Sequence, residues 1–196
     1  MNNSKNNFIK VFLNLKSIRM LFLGFSSGLP ILLVFSTLSV WLVKAEVSRS
    51  TITMFSWAAL AYSFKFIWSP IIDNFKLPFH NFGHRRSWLL ISQIMIVFSL
   101  IFISFTDPSK TLVLTAIGSV LIAFSSASQD IVIDAYRIES APQKLQGVLS
   151  SLYIAGYRIA MLVAGAGSLL LASYLGVEVY DVEVWKIVYL TMASLM

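Results

Sequence analysis

Two aspartates four residues apart, Asp130 and Asp134, lie in an otherwise uncharged stretch, and Arg137 follows three residues later. Spacings of three and four put Ala123, Ser126, Asp130, Asp134 and Arg137 on one helix face, a polar stripe ending in a cation. Asp134 is expected to pair with Arg137 at the helix end. Asp130 lies deeper and has no partner in its own turn. It could take up a proton, or pair with Lys65 or Arg158 in one conformation and not in another. Both cations are isolated among apolar residues. Ala58, Ala61, Tyr62, Trp68 and Ser69 share a face with Lys65, and Tyr153 and Tyr157 stand beside Arg158, so rings able to stack on a sugar accompany each. The plainer alternatives are a Lys65 that snorkels, an Arg158 paired with a neighbouring carboxylate, and aromatics that only pack or mark an interface. His80 and His84 have a metal-pair spacing, but they sit in a Pro- and Gly-containing loop with no third ligand in sequence, so a solvated loop without metal is expected.

The elements that must position these groups are membrane helices. The 196 residues are 57% hydrophobic and 12% charged, with mean hydropathy +0.78, which nearly excludes a soluble enzyme. The net charge of +6 is scattered between long uncharged runs, which argues against a nucleic-acid partner. There is no Cys, hence no disulfide, thiolate metal site or thiol nucleophile, and nothing calls for a cofactor. Met20 to Val43 is an uncharged run of 24 residues, about 36 Å of helix against a hydrocarbon core of roughly 30 Å, and lacks the cleavage signature of a signal peptide. Further spans are read at about 51–72, 87–106, 111–136 and 147–175, with a sixth, 187–196, only half a bilayer long. The fold expected is an all-α membrane protein, one helical bundle over 20–196 behind a segment 1–19.

Lys and Arg flanking the spans number nine on the side of the N-terminus and of Arg85, and four on the other, so the N-terminus is expected to be cytoplasmic and the acidic loop with Glu178, Asp181 and Glu183 external. Phe8, Ile9, Val11, Phe12 and Leu15 alternate with Lys10 and Lys16 as a surface helix or a loose basic tail would. Gly156, Ala160, Ala164, Ser168 and Ala172 form a small-residue ridge for close helix packing, which points Arg158 away from that contact. Gly24 and Gly28 repeat the spacing, and Pro30 is expected to kink the helix, a feature suited to a gate.

These residues carry a resemblance to the N-terminal half of the AmpG-type muropeptide permeases of the major facilitator superfamily. It rests on Ser27-Gly28-Leu29-Pro30, Phe64-Lys65-Phe66 with Trp68, Pro70 and Asp73, Gly83-His84-Arg85-Arg86 with Trp88, Ser126 through Gln129-Asp130-Ile131 to Asp134-Ala135-Tyr136-Arg137, and Gly156-Tyr157-Arg158. The resemblance implies proton-driven import of anhydromuropeptides through the inner membrane by two bundles rocking about a midplane site. Asp130 would carry the proton. Arg158, Lys65, Tyr62, Tyr153, Tyr157 and Gln129 would meet the substrate. Asp73, Arg85 and Arg86 would latch the cytoplasmic side, with Asp134, Arg137, Gly28 and Pro30 also in gating, although Asn74 stands where the general signature often has Arg. With five and a half spans the opposing bundle is missing, so the reading is a permease or a truncated half of one, and the alternative to it is an inactive remnant or a half-transporter that needs a partner chain. Two further readings compete. Gln129-Asp130-Ile131 also resembles the acetyl-coenzyme A transporters, and the spacing of Asp130 and Asp134 fits a magnesium-dependent membrane prenyltransferase, which would need a second acidic cluster that the other spans do not offer.

Overall fold

A computed structural model describes residues 14–77, 83–176 and 180–196. The expected surface helix before Lys16, His80 and Glu178 fall outside these residues. The described residues contain helices and no strand, and the chain is an all-α membrane protein.

The first long helix starts where the Asn14 side chain accepts from the Lys16 N–H at 3.3 Å, runs as α1 (Leu15–Leu32), widens into a π turn at Leu33–Thr37 and continues as α2 (Leu38–Lys44). Pro30 sits inside α1, and the irregularity expected at it comes three residues later as the π turn. Helices α6 (His84–Ser104) and α7 (Leu112–Ser140) form a hairpin. Gly83 begins it with φ +85°, a left-handed value that glycine adopts without strain. After α7, Gln146 donates to the carbonyls of Arg137, Ile138 and Ala141 at 3.1, 3.2 and 2.8 Å, and Lys16 Nζ to that of Ser140 at 2.8 Å, closing the helix end. The next helix is α8 (Gln143–Leu162), a second π turn at Val163–Gly167, and α9 (Ser168–Tyr174). Four helices, Leu15–Lys44, His84–Ser104, Leu112–Ser140 and Gln143–Tyr174, are long and apolar enough to cross a membrane.

The remaining two segments differ from the helices expected of them. Residues 49–74 are not one helix but α3 (Arg49–Phe55), a 3₁₀ turn at Ser56–Ala58, α4 (Ala59–Ser63), a 3₁₀ turn at Lys65–Ile67 and α5 (Ser69–Asn74). Pro70 offers no N–H to the carbonyl four residues back and disfavours helical backbone at Ser69, which accounts for the lower break. The last helix, α10 (Val182–Ser194), begins five residues before the expected 187 because the Asp181 side chain caps it, accepting from Glu183 N–H at 2.9 Å.

The small-residue ridge packs as expected. A Cβ on Gly156 would collide with the backbone carbonyl of Leu21, on Gly24 with that of Tyr153, and on Gly28 with that of Tyr157, so α1 and α8 approach backbone to backbone. Ala160, Ala164, Ser168 and Ala172 are all buried. The two π turns meet at this contact: Thr37 Oγ1 donates to Ala164 O at 2.8 Å and lies 2.9 Å from Ser168 Oγ, while Tyr189 of α10 donates to Leu33 O at 2.9 Å. Side-chain hydroxyls thus serve carbonyls whose regular helical partner a π turn displaces. Above it Trp41 stacks on Trp185 with ring centroids 5.8 Å apart and an interplanar angle of 12°, and Tyr189 closes on Trp41 at 5.1 Å.

Candidate functional site

Asp130 lies ten residues from the end of α7, about 15 Å along the helix, in a niche made by α1, α8 and the broken segment. The Ser27 hydroxyl donates to Asp130 Oδ1 in a very short hydrogen bond. Tyr153 OH lies 2.8 Å from Ser27 Oγ; since Ser27 has spent its one hydrogen on Asp130, Tyr153 is the donor there. Lys65 Nζ stands 4.0 Å from Asp130 Oδ2, with its side chain 36% exposed against 16% for Asp130. The expected choice between Lys65 and Arg158 is therefore resolved for this conformation in favour of Lys65. The break after Phe64 makes this possible, because it puts Lys65 in a 3₁₀ turn rather than on a continuous helix face.

The other aromatic residues divide between cavity and support. Tyr157 stands beside Tyr153, ring centroids 6.1 Å apart, and Tyr62 packs against Phe35 at 6.1 Å with its hydroxyl buried near Ser126. Trp68 donates from its indole N–H to Ser128 Oγ at 3.1 Å and tilts over Phe124 at 4.7 Å, so it braces α5 against α7. Arg158 is exposed, with Nη1 3.8 Å from Met161 Sδ. It points away from the ridge as expected, and no described carboxylate pairs with it. Gln129 is fully buried behind Asp130, its amide donating to Ser26 Oγ at 2.6 Å.

At the end of the bundle carrying Asp73, Arg85 is the centre of a charge cluster. Its Nη1 donates to Asp73 Oδ1 at 2.5 Å, and its Nε and Nη2 donate to Glu139 Oε1 at 3.0 and 2.9 Å. Glu139 is absent from the sequence-based set; only its place one turn beyond Asp134-Ala135 hinted at it. Trp88 Nε1 donates to Phe75 O at 2.9 Å, tying the same loop down. Arg137 pairs with Asp134 at 3.2 Å, as their spacing predicts, and its guanidinium lies 6.0 Å from the Tyr153 ring centre. Arg86 is exposed at this end, and His84 is the first residue of α6 rather than part of a loop.

The opposite end is closed by Asp107. It accepts from Tyr180 OH at 2.6 Å, from the Ser109 hydroxyl at 2.6 Å and from the Ser109 N–H at 3.0 Å, with Lys110 at 3.5 Å. Burial by itself would raise this carboxyl, but the donors from Ser109 and Tyr180, with Lys110, outweigh it and hold Asp107 below the usual carboxylate range. Burial, together with the bond to Asp107, pushes Tyr180 up to about 12.

Residues 17–139 match a family model described as acetyl-coenzyme A transporter 1. The chain is 40% identical over 168 residues to the putative transporter AmpG 4 of Rickettsia felis, which covers 85% of this chain and 41% of that protein. It is 39% identical over 190 residues to the anhydromuropeptide permease of Escherichia coli K12, covering 96% of this chain and 37% of the permease. Putative transporter AmpG 1 of Rickettsia conorii is 37% identical over 166 residues, covering 84% and 39%. The chain therefore spans about two-fifths of the length of these relatives.

Proposed function

Since this chain belongs to the AmpG-type transporters of the major facilitator class, within the acetyl-coenzyme A transporter 1 family, we propose that it forms part of a proton-driven importer of peptidoglycan-derived anhydromuropeptides. Its bundle, residues 20–196, would cross the bacterial inner membrane with the N-terminus and the Arg85 cluster on the cytoplasmic side, and its cavity would open alternately to the two sides. The observation that carries the reading is the Tyr153, Ser27, Asp130 and Lys65 constellation inside the bundle. A carboxylate there is costly unless it is paired or able to become neutral.

In this scheme Asp130 accepts the coupled proton. Neutralising it removes the counter-charge 4.0 Å from Lys65 Nζ and frees that ammonium for an anionic group of the cargo. Arg158, which has no carboxylate partner among the described residues, meets a second anionic group such as a peptide carboxylate. Tyr62, Tyr153 and Tyr157 offer ring faces to the sugar, Tyr157 its hydroxyl as well, and Gln129 acts from the wall behind Asp130. Asp73, Arg85 and Arg86 latch the cytoplasmic side, with the Asp134 and Arg137 pair beside them. Gly28 and Pro30 give the first helix the close approach and the bend that opening requires. The other part of the cavity would come from a region corresponding to the rest of the relatives' length, in the same or a partner chain.

The test is a chimera in which this chain replaces the matching 190-residue region of the Escherichia coli permease, expressed beside the unaltered chain in cells lacking their own permease. Uptake of radiolabelled anhydromuropeptide that a proton uncoupler abolishes, and that Asp130→Asn abolishes while the protein stays inserted, is the expected result. Full accumulation by Asp130→Asn refutes the coupling role, and unchanged substrate affinity in Arg158→Ala refutes the binding role. A second reading, acetyl-coenzyme A as cargo, is favoured by the family model alone, and labelled acetyl-coenzyme A in the same cells separates the two.

A further inference from the structure

The Asp130 niche is fixed from its buried side. Two consecutive residues of α1, Ser26 and Ser27, face two consecutive residues of α7, Gln129 and Asp130: Ser27 donates to Asp130, and Gln129 Nε2 donates to Ser26 Oγ at 2.6 Å. Ser26 Oγ also accepts from Gln93 Nε2 of α6 at 3.2 Å and turns its own hydrogen toward Met196 Sδ at 3.6 Å. A hydroxyl has two acceptor sites and one donor, so Ser26 is fully committed. Ser26 is 4% exposed and Gln129 0%, so neither meets a ligand in this state. On either side of these hydroxyls Gly24 and Gly28 seat α1 backbone to backbone on α8, so the bridge to α6 and α7 fixes the opposite side of the same turn. Successive residues point about 100° apart around a helix, so the glutamine bridge grips α1 without crowding the carboxylate.

We propose that Gln129 and Gln93 are positioning residues, which act through Ser26 to hold the Ser27 hydroxyl on the Asp130 carboxylate and do not themselves touch the cargo. This deepens the reading of Asp130 as the proton-accepting group and rests on it. Gln93 belongs to none of the motifs that point to transport, and its role follows from the three-helix bridge alone.

The test is infrared difference spectroscopy of the whole chain in lipid between acid and alkaline pH. The carboxyl band that disappears in Asp130→Asn belongs to Asp130, and its displacement in Ser27→Ala calibrates loss of the serine hydrogen bond. Gln129→Met and Gln93→Met keep side-chain length and remove the amide. Each is expected to move the band at least about half as far as Ser27→Ala does, in the same direction. A band that stays at its original place in folded Gln variants while Ser27→Ala displaces it overturns the positioning role and leaves the proton-acceptor reading intact. If no band is sensitive to Asp130→Asn at any pH, the proton-acceptor reading itself fails, and the inference with it. Should Gln129→Met not fold, Gln93→Met decides, because that side chain is only partly buried and its replacement opens little space.

Discussion

Replacing Gly156 by Ala adds one methyl group where α1 and α8 cross, and its cost follows from what that methyl meets. The new Cβ lands on the Leu21 carbonyl oxygen and comes within 2.9 Å of both the Leu21 carbonyl carbon and the Phe25 nitrogen. Backbone atoms cannot rotate aside as a side chain can, so the two helices must separate. That separation also loosens the contacts at Gly24 and Gly28. Overpacking a tight site costs about 1–3 kcal/mol, and rigid neighbours put this site at the upper end. Ala in place of Gly returns at most about 1 kcal/mol of helix propensity. The net loss is about 2 kcal/mol, or a fall of roughly 4–8 °C in Tm for a chain of this size. Gly147 in the same helix is the control, because a Cβ there meets nothing within 4 Å. Gly147→Ala is expected to be neutral or to raise Tm by roughly 2–4 °C through propensity alone. The assay is thermal unfolding followed by circular dichroism in one detergent or lipid for both variants. Since one separation relieves both clashes, Gly24→Ala combined with Gly156→Ala should cost less than the sum of the singles. Gly156→Ala as stable as Gly147→Ala would refute the backbone-to-backbone crossing.

Three further outcomes are expected. Thr37→Val removes the bonds to Ala164 O and Ser168 Oγ and should lower stability by about 0.5–1.5 kcal/mol, seen as a lower Tm that Thr37→Ser largely restores. Asp107 sits below its ordinary value because it is bonded in the folded state, so its contribution is complete above the unfolded-state value near 4 and fades as pH falls through the lower folded value. Tm should therefore hold steady down to about pH 4 and fall below it, and Asp107→Asn should flatten that acid limb. Arg85→Ala breaks contacts to Asp73 and Glu139 whose side chains are 43% and 55% exposed. Such pairs contribute at most about 1 kcal/mol, so Tm should hardly move, while uptake in the chimera should fall if the cluster works as a latch.

The long spans could be read from composition because a lipid-facing helix must be apolar along its whole length. The α1 and α8 contact was readable for a related reason: only small residues at a four-residue spacing let backbones touch, and Gly24, Gly28, Gly156 and Ala160 advertise it. Asp134 with Arg137 is local to one helix and followed from spacing. Other features depend on partners far away in sequence. The turn at Ser56–Ala58 contains neither Gly nor Pro, so nothing local marks it. The π turns at Leu33–Thr37 and Val163–Gly167 are held by Thr37 and Tyr189, which reach them from other elements. Glu139, Gln93 and Ser26 looked ordinary because a side chain's role in a bridge is set by three-dimensional neighbours. The selection of Lys65 over Arg158 as the neighbour of Asp130 came from the 3₁₀ turn at Lys65–Ile67, which Pro70 signals locally but a continuous helical wheel ignores.

The stack of Trp41 on Trp185 has a practical consequence. It joins residues 144 positions apart, and both rings are almost wholly shielded, at 0% and 1% exposure, whereas Trp57 is 73% exposed. Emission from the buried pair therefore reports whether the last helix has docked on the first, and Trp57 supplies the opposing background of a ring open to its surroundings. With Trp57, Trp68 and Trp88 replaced by Phe, so that only the stacked pair emits, a collisional quencher confined to water would grade each preparation of the protein by the fraction of molecules in which these two helices are joined, without any label.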